Sequence, residues 1–302
     1  MAQAITVERL RKTYRDVVAV DDASFEVQDN EIFGIVGPNG SGKTTTVECL
    51  QGLRVPTSGT MRVLGLDPRE QGEALRHRIG SQLQESALPE RIKVWEALDL
   101  FAAAAPGRRD WRESATDWGI YDRRNAAFAN LSGGQRQRLF IALALIRKPE
   151  LVFLDEMTTG LDPAARREAW SLVKSVRDSG ATIVLVTHFM DEAEHLCDRV
   201  GVFKHGRVVA IDTPAALMLR HAGMRTVTFS CQEPELSWLA EVPGVESVER
   251  HGSQLAVRGG GALLAHVAAA LVSRGIAPAD LRVDIPKLED AYMSLVGEVP
   301  GL

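Results

Sequence analysis

Apolar and polar positions alternate along residues 4–29, in "AITVERL" and "VAVDDASFEV", and β-branched side chains are frequent among them. This period of two predicts short antiparallel strands with one face in a core. The pattern then changes. "EIFGIVGPNGSGKTTTVECLQGL" opens with an unbroken apolar run, crosses a glycine-rich polar loop and continues as helix-forming residues, which predicts a buried strand, a loop and a helix. Residues 90–128 ("ERIKVWEALDLFAAAA", "WRESATDWGIYD") read as mostly helical. "PELVFLDE" and "ATIVLVTH" are again continuous apolar runs bounded by turn signals, as expected of parallel strands covered on both faces. The helical stretch "PAARREAWSLVKSVRDSG" separates them and closes on Gly180 as a C-terminal cap. Strand, helix, strand in this order is an α/β core whose chemistry belongs at the C-terminal ends of its strands.

A domain boundary is expected at 215–225, after "GRVVAIDTPAALM", dividing a domain of residues 1–220 from one of residues 221–302. Beyond it the pattern predicts strand 226–231, a short helix near 235–241, strands 245–250 and 254–258, helix 262–273, strand 281–285 and helix 287–296. That order is a small α+β domain of ferredoxin-like type with one trailing helix.

Composition narrows the classes. The 302 residues are 45% hydrophobic and 25% charged, ordinary for a globular protein and long enough for two domains. A net charge of −5 gives no basic field for nucleic acid or an anionic membrane surface. Residues 222–302 hold ten acidic and six basic side chains, so the C-terminal part is the more acidic one. Cys49, Cys197 and Cys231 are widely spaced and lack metal-site partners, which fits packing residues in a reducing compartment. No stretch reaches the roughly 20 apolar residues of a spanning helix, and the N-terminus lacks the layout of a signal peptide. The expectation is a cytoplasmic chain that meets a membrane only through a partner.

Candidate chemistry starts at 37–44, "GPNGSGKT", which fits GxxxxGK[ST] between a strand and a helix. Gly37, Gly40 and Gly42 let backbone N–H groups wrap phosphate oxygens, with Pro38, Asn39, Ser41 and Thr45 completing the loop and its exit. Lys43 supplies charge to the β- and γ-phosphates and Thr44 a hydroxyl to Mg²⁺. In "LVFLDE", two carboxylates stand at a buried strand end. If the extended geometry persists, Asp155 and Glu156 face opposite ways, one toward the Mg²⁺ shell and one toward water. His188 closes "IVLVTH"; alone it reads as a structural histidine. Tyr14 either stacks on adenine or packs on a strand, and Gln84 in "GSQLQES" is unremarkable by itself. In "LSGGQRQR" (131–138), Ser132 and Gln135 form a capping box, yet Gly133 and Gly134 weaken the first helical turn. Something must approach closely there.

Taken together and in this order, these motifs resemble the ATP-binding cassette family across residues 4–220. The resemblance makes Tyr14 the aromatic adenine contact, 37–44 the Walker A loop, Gln84 the Q-loop, 131–135 the signature, 151–156 the Walker B strand, 160–162 with Asp162 the D-loop and His188 the switch histidine. It implies a RecA-like P-loop core, an N-terminal antiparallel β subdomain and a helical subdomain at about 85–145. It further implies a Mg²⁺-ATPase with Glu156, His188, Gln84 and Lys43 as catalytic groups and Thr44, Gln84 and Asp155 around the metal. Ser132, Gly133, Gly134, Gln135 and Asp162 would meet the nucleotide of a second copy. Met157 stands where the family usually has proline; it frees the turn while keeping every chemical group, so any effect is expected on rate.

"GPNGSGKTTTVECLQGL", "THFMDEAEHLCDRVGVFKHGRVVAIDTP" and "PKLEDAYMSLVGE" are similar to the cassette subunits of bacterial drug and antibiotic exporters of the daunorubicin-resistance type. That likeness implies a homodimer, peripheral on the cell membrane through a separately encoded multi-span permease, and no direct contact with the transported molecule. Leu88, Trp95 and Leu98 would line the groove for the permease, or fill the helical subdomain's own core. The rival reading is a soluble cassette ATPase acting on ribosomes or DNA. One cassette without coiled coil, zinc site or basic patch speaks against it.

Overall fold

A computed structural model describes residues 3–82, 88–103, 110–233 and 236–297. The chain divides into two compact units, Met1–Pro214 and Ala215–Leu302.

The first unit opens with β1 (Gln3–Tyr14) and β2 (Val17–Gln28), paired antiparallel from Gln3↔Gln28 to Tyr14↔Val17. β3 (Ile32–Val36) leads through the glycine loop into α1 (Lys43–Leu50). β4 (Ser58–Val63) returns to the other edge of β1, giving the three-stranded sheet β2-β1-β4. Then come α2 (Gly72–Arg76), β5 (Ile79–Gln82), α3 (Val94–Ala103), α4 (Trp111–Asp117) and α5 (Gly133–Leu145). The remaining elements are β6 (Leu151–Asp155), α6 (Pro163–Asp178), β7 (Thr182–Thr187), α7 (Met190–Leu196), β8 (Arg199–Lys204) and β9 (Arg207–Asp212).

The second sheet has the order β5-β6-β7-β3-β8-β9, parallel except for the antiparallel edge strand β9. Every residue of β3, β6 and β7 is buried, as continuous apolar runs in a two-sided parallel sheet require. β6, β7 and β3 are neighbours, so their C-terminal ends share one edge. Phe33 on β3 stacks on Phe25 of β2 at 5.7 Å and Phe203 of β8 meets Phe25 edge-on at 5.9 Å. These rings join the antiparallel sheet to the parallel one in a single core. α6 runs from its Asp162 cap to Ser179, and Gly180 takes the left-handed conformation (φ 99°) expected just past a helix end.

A separate core holds the helical subdomain: Val94, Ala97, Leu98 and Ala102 of α3 pack with Ala115, Ile120 and Leu139, Ala142 and Leu143 of α5. The expectation for 90–128 is corrected in extent. Among the described residues there, helix is confined to α3 and α4, and Tyr121–Arg123 and Phe128–Asn130 are single 3₁₀ turns. The groove assignment for Leu98 is corrected as well, because its side chain is fully buried in this core, with Leu88 packed against the same cluster. Trp95 is half-buried, 6.3 Å from Trp111. Exposed apolar surface on α3 belongs instead to Leu100 and Phe101.

The division between the units falls within α8 (Pro214–His221). The second unit then contains β10 (Arg225–Ser230), β11 (Val245–His251), β12 (Gln254–Gly259), α9 (Leu263–Ser273), β13 (Arg282–Asp284) and α10 (Leu288–Val296), with a 3₁₀ turn at Ser237–Glu241 in place of a first helix. Its antiparallel sheet runs β11-β12-β10-β13, the strand order of a ferredoxin-like domain. Val227, Phe229, Leu255, Val257, Leu263, Val267 and Leu271 form its core.

Among the described residues no helix is long and apolar enough to cross a membrane. Truncating fully buried Leu98 to Ala removes packing from the α3–α5 core and should cost about 2–5 kcal/mol. Leu100→Ala, at a site 60% exposed, should stay within about 0.5 kcal/mol. Hydrogen exchange of the α3 and α5 amides reads both; equal protection in the two variants would contradict the assignment of Leu98 to the core.

Candidate active site

The glycine loop between β3 and α1 is shaped by its own chain. A Cβ on Gly37 would lie 2.4 Å from the Phe203 carbonyl oxygen, and one on Gly42, which caps α1 at φ 94°, would lie 2.3 Å from the Ala19 oxygen. No other residue fits at either position. The loop is braced by Ser41 N–H donating to the Pro38 oxygen (3.2 Å) and by Gly206 N–H donating to the Ser41 oxygen (3.1 Å). Asn39, Gly40 and Thr44 are exposed, Pro38 and Thr45 half-buried and Ser41 buried. α1 therefore presents its free N-terminal N–H groups at an open loop, the arrangement that binds phosphate.

Lys43 is 6% exposed, and its Nζ donates to the oxygens of Gly37 (2.7 Å) and Pro38 (3.0 Å). Burial lowers its pKa, while Glu156 and Asp155 raise it. Asp155 ends β6 and is buried; its Oδ1 has no hydrogen-bond partner. Burial, and then the charge of Glu156, push its pKa up to about 6, against the pull of Lys43.

Glu156 does not continue the strand. It adopts φ 48°, its N–H donates to the Val186 oxygen at 2.9 Å, and its Oε1 lies 3.2 Å from His188 Nδ1 just past β7. The expectation that extended geometry separates the two carboxylates is thus corrected: a left-handed residue at the strand end does it. Met157 is buried under that turn.

The signature residues stand apart from this edge. Ser132 caps α5, with Gln135 N–H donating to Ser132 Oγ (3.3 Å) and Ser132 N–H donating to Gln135 Oε1 (3.1 Å). Ser132, Gly133, Gly134 and Gln135 line an open cleft of about 720 Å³ with Gly160, Leu161 and Asp162, Arg138 and Glu168. None of residues 37–45, 155, 156 or 188 lines it. Asp162 Oδ1 accepts from Ala164 and Ala165 N–H, both 2.9 Å, so its side chain caps α6. Tyr14 ends β1, 37% exposed, with Lys12 Nζ 4.8 Å from its ring centre. Gln84 lies outside the described residues.

Several contacts at these elements escape the motifs. Gln82, the last residue of β5, exchanges amide hydrogen bonds with Gln137 of α5 at 3.0 and 3.3 Å. Arg138 bonds Glu168 of α6 at 2.6 Å. Glu192 on α7 is fully buried and accepts a hydrogen bond from Trp170 of α6. The polar run "QRQR" after the signature hints at the first two; nothing in the periodicity of "DEAEHL" marks the third.

The profile described as "ABC transporter" matches residues 20–159. A Nod factor export ATP-binding protein I of Cupriavidus metallidurans is 38% identical over 263 residues, covering 84% of this chain and 86% of that protein. The chain belongs to the ABC transporter family.

A daunorubicin resistance ATP-binding protein of Streptomyces coeruleorubidus is 35% identical, covering 98% of this chain and 96% of the relative. Among solved structures, the cassette is similar to cbiO1 of Clostridium perfringens, described as part of an ABC transporter complex (28% identity, TM-score 0.66, covering 73% of this chain and 92% of that one). It follows that this cassette binds ATP and hydrolyses it, on an α/β fold of RecA-like type.

The raised pKa of Asp155 has a consequence for stability. A carboxyl that titrates near 6 in the fold, against an ordinary 3.8, holds its proton more tightly folded than unfolded. Its contribution to stability is full below about pH 3.8 and is lost as the pH rises through about 6. In nucleotide-free, chelator-treated protein, Asp155→Asn should therefore gain on the wild type by on the order of 1–3 kcal/mol at pH 7, and lose that gain near pH 4. Melting curves across this range test it; a pH-independent difference would contradict the shift.

Proposed function

We propose that this cassette is the ATP-hydrolysing subunit of an exporter, working as a homodimer on the inner face of the cell membrane through a separately encoded multi-span permease. Efflux of a drug or antibiotic is the reading we adopt, supported by the near full-length relative named for daunorubicin resistance. The acidic balance of the chain and the absence of a basic patch in its sequence weigh against a soluble cassette acting on ribosomes or DNA.

The observation that carries the catalytic reading is the shared edge of β3, β6 and β7. It brings Lys43, Asp155, Glu156 and His188 into one electrostatic neighbourhood. The N–H groups of residues 37–45 hold the phosphates, and Lys43 exchanges its loop carbonyls for β- and γ-phosphate oxygens. Tyr14 offers a ring for adenine. Glu156 orients a water in line with the γ-phosphoryl group and takes its proton as the bond from γ-phosphorus to the ADP oxygen breaks. His188, on the other side of Glu156, holds that carboxylate and the γ-phosphate in register.

Mg²⁺ fits the donors present. Asp155 Oδ1 is buried without a partner, its carboxyl disfavours the charged form, and a cation nearby removes both penalties. Among the described residues no cluster of three or more His, Cys, Asp or Glu forms a cage, in keeping with an ion held mainly by phosphates and one or two protein groups. Thr44 and Asp155, with Gln84, are the residues that would hold it. Bound there, the ion neutralises charge on the phosphate oxygens.

The signature cleft supplies the other half of the site. A Cβ on Gly133 would stop 3.6 Å from Leu161 Cδ2, and one on Gly134 3.4 Å from Ala165 Cβ, both ordinary contacts. The chain's own packing therefore does not require these glycines, and a nucleotide carried by a second copy does. Closing two copies around ATP and reopening them after hydrolysis moves the permease.

Glu156→Gln should keep ATP affinity and lose turnover by about 10²–10⁴-fold. Saturating ATP should convert this variant, with the permease present, from monomer to dimer in sedimentation. Turnover like the wild type, or a persistent monomer, would refute the reading. Gly133→Ala separates packing from catalysis. Its melting temperature should equal or exceed the wild type, since glycine costs about 0.5–1 kcal/mol in a helix, while turnover falls about tenfold, equivalent to ~1.4 kcal/mol.

A further inference from the structure

The 3.2 Å contact between Glu156 and His188 joins two loops that leave adjacent strands, and one carboxyl lies beneath both. Glu192 on α7 is fully buried. Trp170 of α6 donates its Nε1–H to Glu192 Oε1 at 3.1 Å. Thr158, two residues past Glu156, and Thr187, the residue before His188, are also fully buried, and their hydroxyls are electrostatic neighbours of this carboxyl. Thr187 Oγ1 in turn accepts the Phe189 N–H at 3.0 Å, pinning the backbone just beyond His188. Glu192 Oε2 and Thr158 Oγ1 are left without a hydrogen bond of normal geometry.

Burial raises the pKa of Glu192, opposed by the pull of the Thr187 and Thr158 hydroxyls, by the Trp170 N–H and by the charge of Arg166. A carboxyl kept at such a cost merely to join α7 to α6 would be poorly chosen, because an apolar side chain of equal volume packs there with less penalty. What an apolar side chain cannot do is hold Trp170 by a hydrogen bond while keeping a second buried acceptor open.

Arg166 reinforces the same junction from α6. Its guanidinium lies 4.3 Å over the Phe189 ring and pairs with Asp191 at 3.3 Å, and Phe189 is itself 4.0 Å from the His188 ring. α6 therefore meets the segment after His188 through Arg166 as well as through the Trp170–Glu192 bond.

We propose that Glu192 is a positioning residue for ATP hydrolysis: anchored on Trp170, its carboxyl ties Thr158 to Thr187 and so sets the placement of Glu156 relative to His188. The unmade bond between Thr158 and Oε2 is the one that closes as the two loops tighten around nucleotide, since catalytic hydrogen bonds are often long before the reactive complex forms. This inference rests on the catalytic reading of Glu156 and His188.

The test uses the full chain, with kcat and KM for ATP measured separately, a fluorescent ATP analogue for affinity and thermal melting for stability. Glu192→Ala should lower kcat by about tenfold or more with affinity within about threefold, a loss confined to the reactive complex. Glu192→Gln keeps an acceptor for Trp170 and adds a donor for the threonines, so it should return kcat to within about threefold of wild type. Thr158→Val should lower kcat at unchanged KM. Wild-type kcat in Glu192→Ala overturns the proposal. So does a parallel decline of kcat, affinity and melting temperature, which marks a structural role alone, or a Gln variant no better than Ala. If Glu192→Ala does not fold, Thr158→Val decides, and wild-type kcat in that variant overturns the proposal. A fully active Glu156→Gln variant would instead remove the catalytic reading beneath it; an inactive one beside normal Glu192 and Thr158 variants removes only the positioning role.

Discussion

A buried ammonium, held by loop carbonyls in the field of two carboxylates, governs the catalytic edge. Lys43 loses hydration on burial, and the Gly37 and Pro38 oxygens together with the negative charge of Glu156 and Asp155 offset that loss. One cation cannot satisfy two acids, and the deeper acid gives way: Asp155 keeps its proton up to about pH 6. On the proposed reading, phosphate oxygens would draw Lys43 away from its loop carbonyls and a divalent cation would take up the charge of Asp155. This depends on register. Asp155 pairs with Val186 and Val36 with Thr187, so the three strand ends finish level. A slip of one residue would turn Asp155 to the opposite face and dissolve the arrangement.

From this edge, polar contacts run outward along elements that the hydrophobic cores hold rigid. The reciprocal amide pair of Gln82 and Gln137 joins β5 to the signature helix α5, although the parallel sheet and the helical subdomain have separate apolar clusters. Arg138 then bonds Glu168 on α6, and α6 reaches α7 through Trp170 and Arg166. Trp170 also stacks on His195 at 4.8 Å, whose Nε2 lies 3.1 Å from Lys174 Nζ. Exposed ion pairs of this kind contribute little to stability one by one. Their value here is directional, because each joins elements that carry a different motif.

Most of this architecture was legible in the sequence, and the exceptions share a cause. Period-two and continuous apolar patterns located β1, β2, β3, β6 and β7, because burial on one face or two leaves a direct mark on composition. The capping box at Ser132 and the helix stop at Gly180 were equally plain, since both are local hydrogen-bond or backbone requirements. Leu98 was ambiguous because a leucine on a helix reads the same whether its face meets another helix of the chain or a partner. The left-handed turn at Glu156 was hidden, as a non-glycine residue at positive φ announces nothing in sequence. Glu192 was hidden most completely: a glutamate in an acidic helical stretch reads as solvated surface, and only the approach of Thr158, Thr187 and Trp170 reveals otherwise.

The signature stretch shows how a structural motif and a ligand site occupy the same residues without conflict. Gln135 spends its N–H on Ser132 Oγ and its Oε1 on Ser132 N–H, so the capping box is complete within the chain. What remains to be offered is the Ser132 hydroxyl proton and the N–H groups of Gly133 and Gly134, the donors that an α-helix leaves without intrahelical partners. They open into a cleft shared with Gly160 and Asp162, and Asp162 has already given Oδ1 to the start of α6. Donors for an anion are therefore assembled in one place, while the loop built to carry the phosphates opens at the ends of β3, β6 and β7 in another. Neither glycine is forced by its neighbours within the chain, whereas Gly37 and Gly42 are. The two sets of phosphate donors do not converge within one copy; in the proposed dimer they would converge as two copies face each other, and glycine at 133 and 134 would let the second copy's nucleotide come within hydrogen-bonding distance of the helix end.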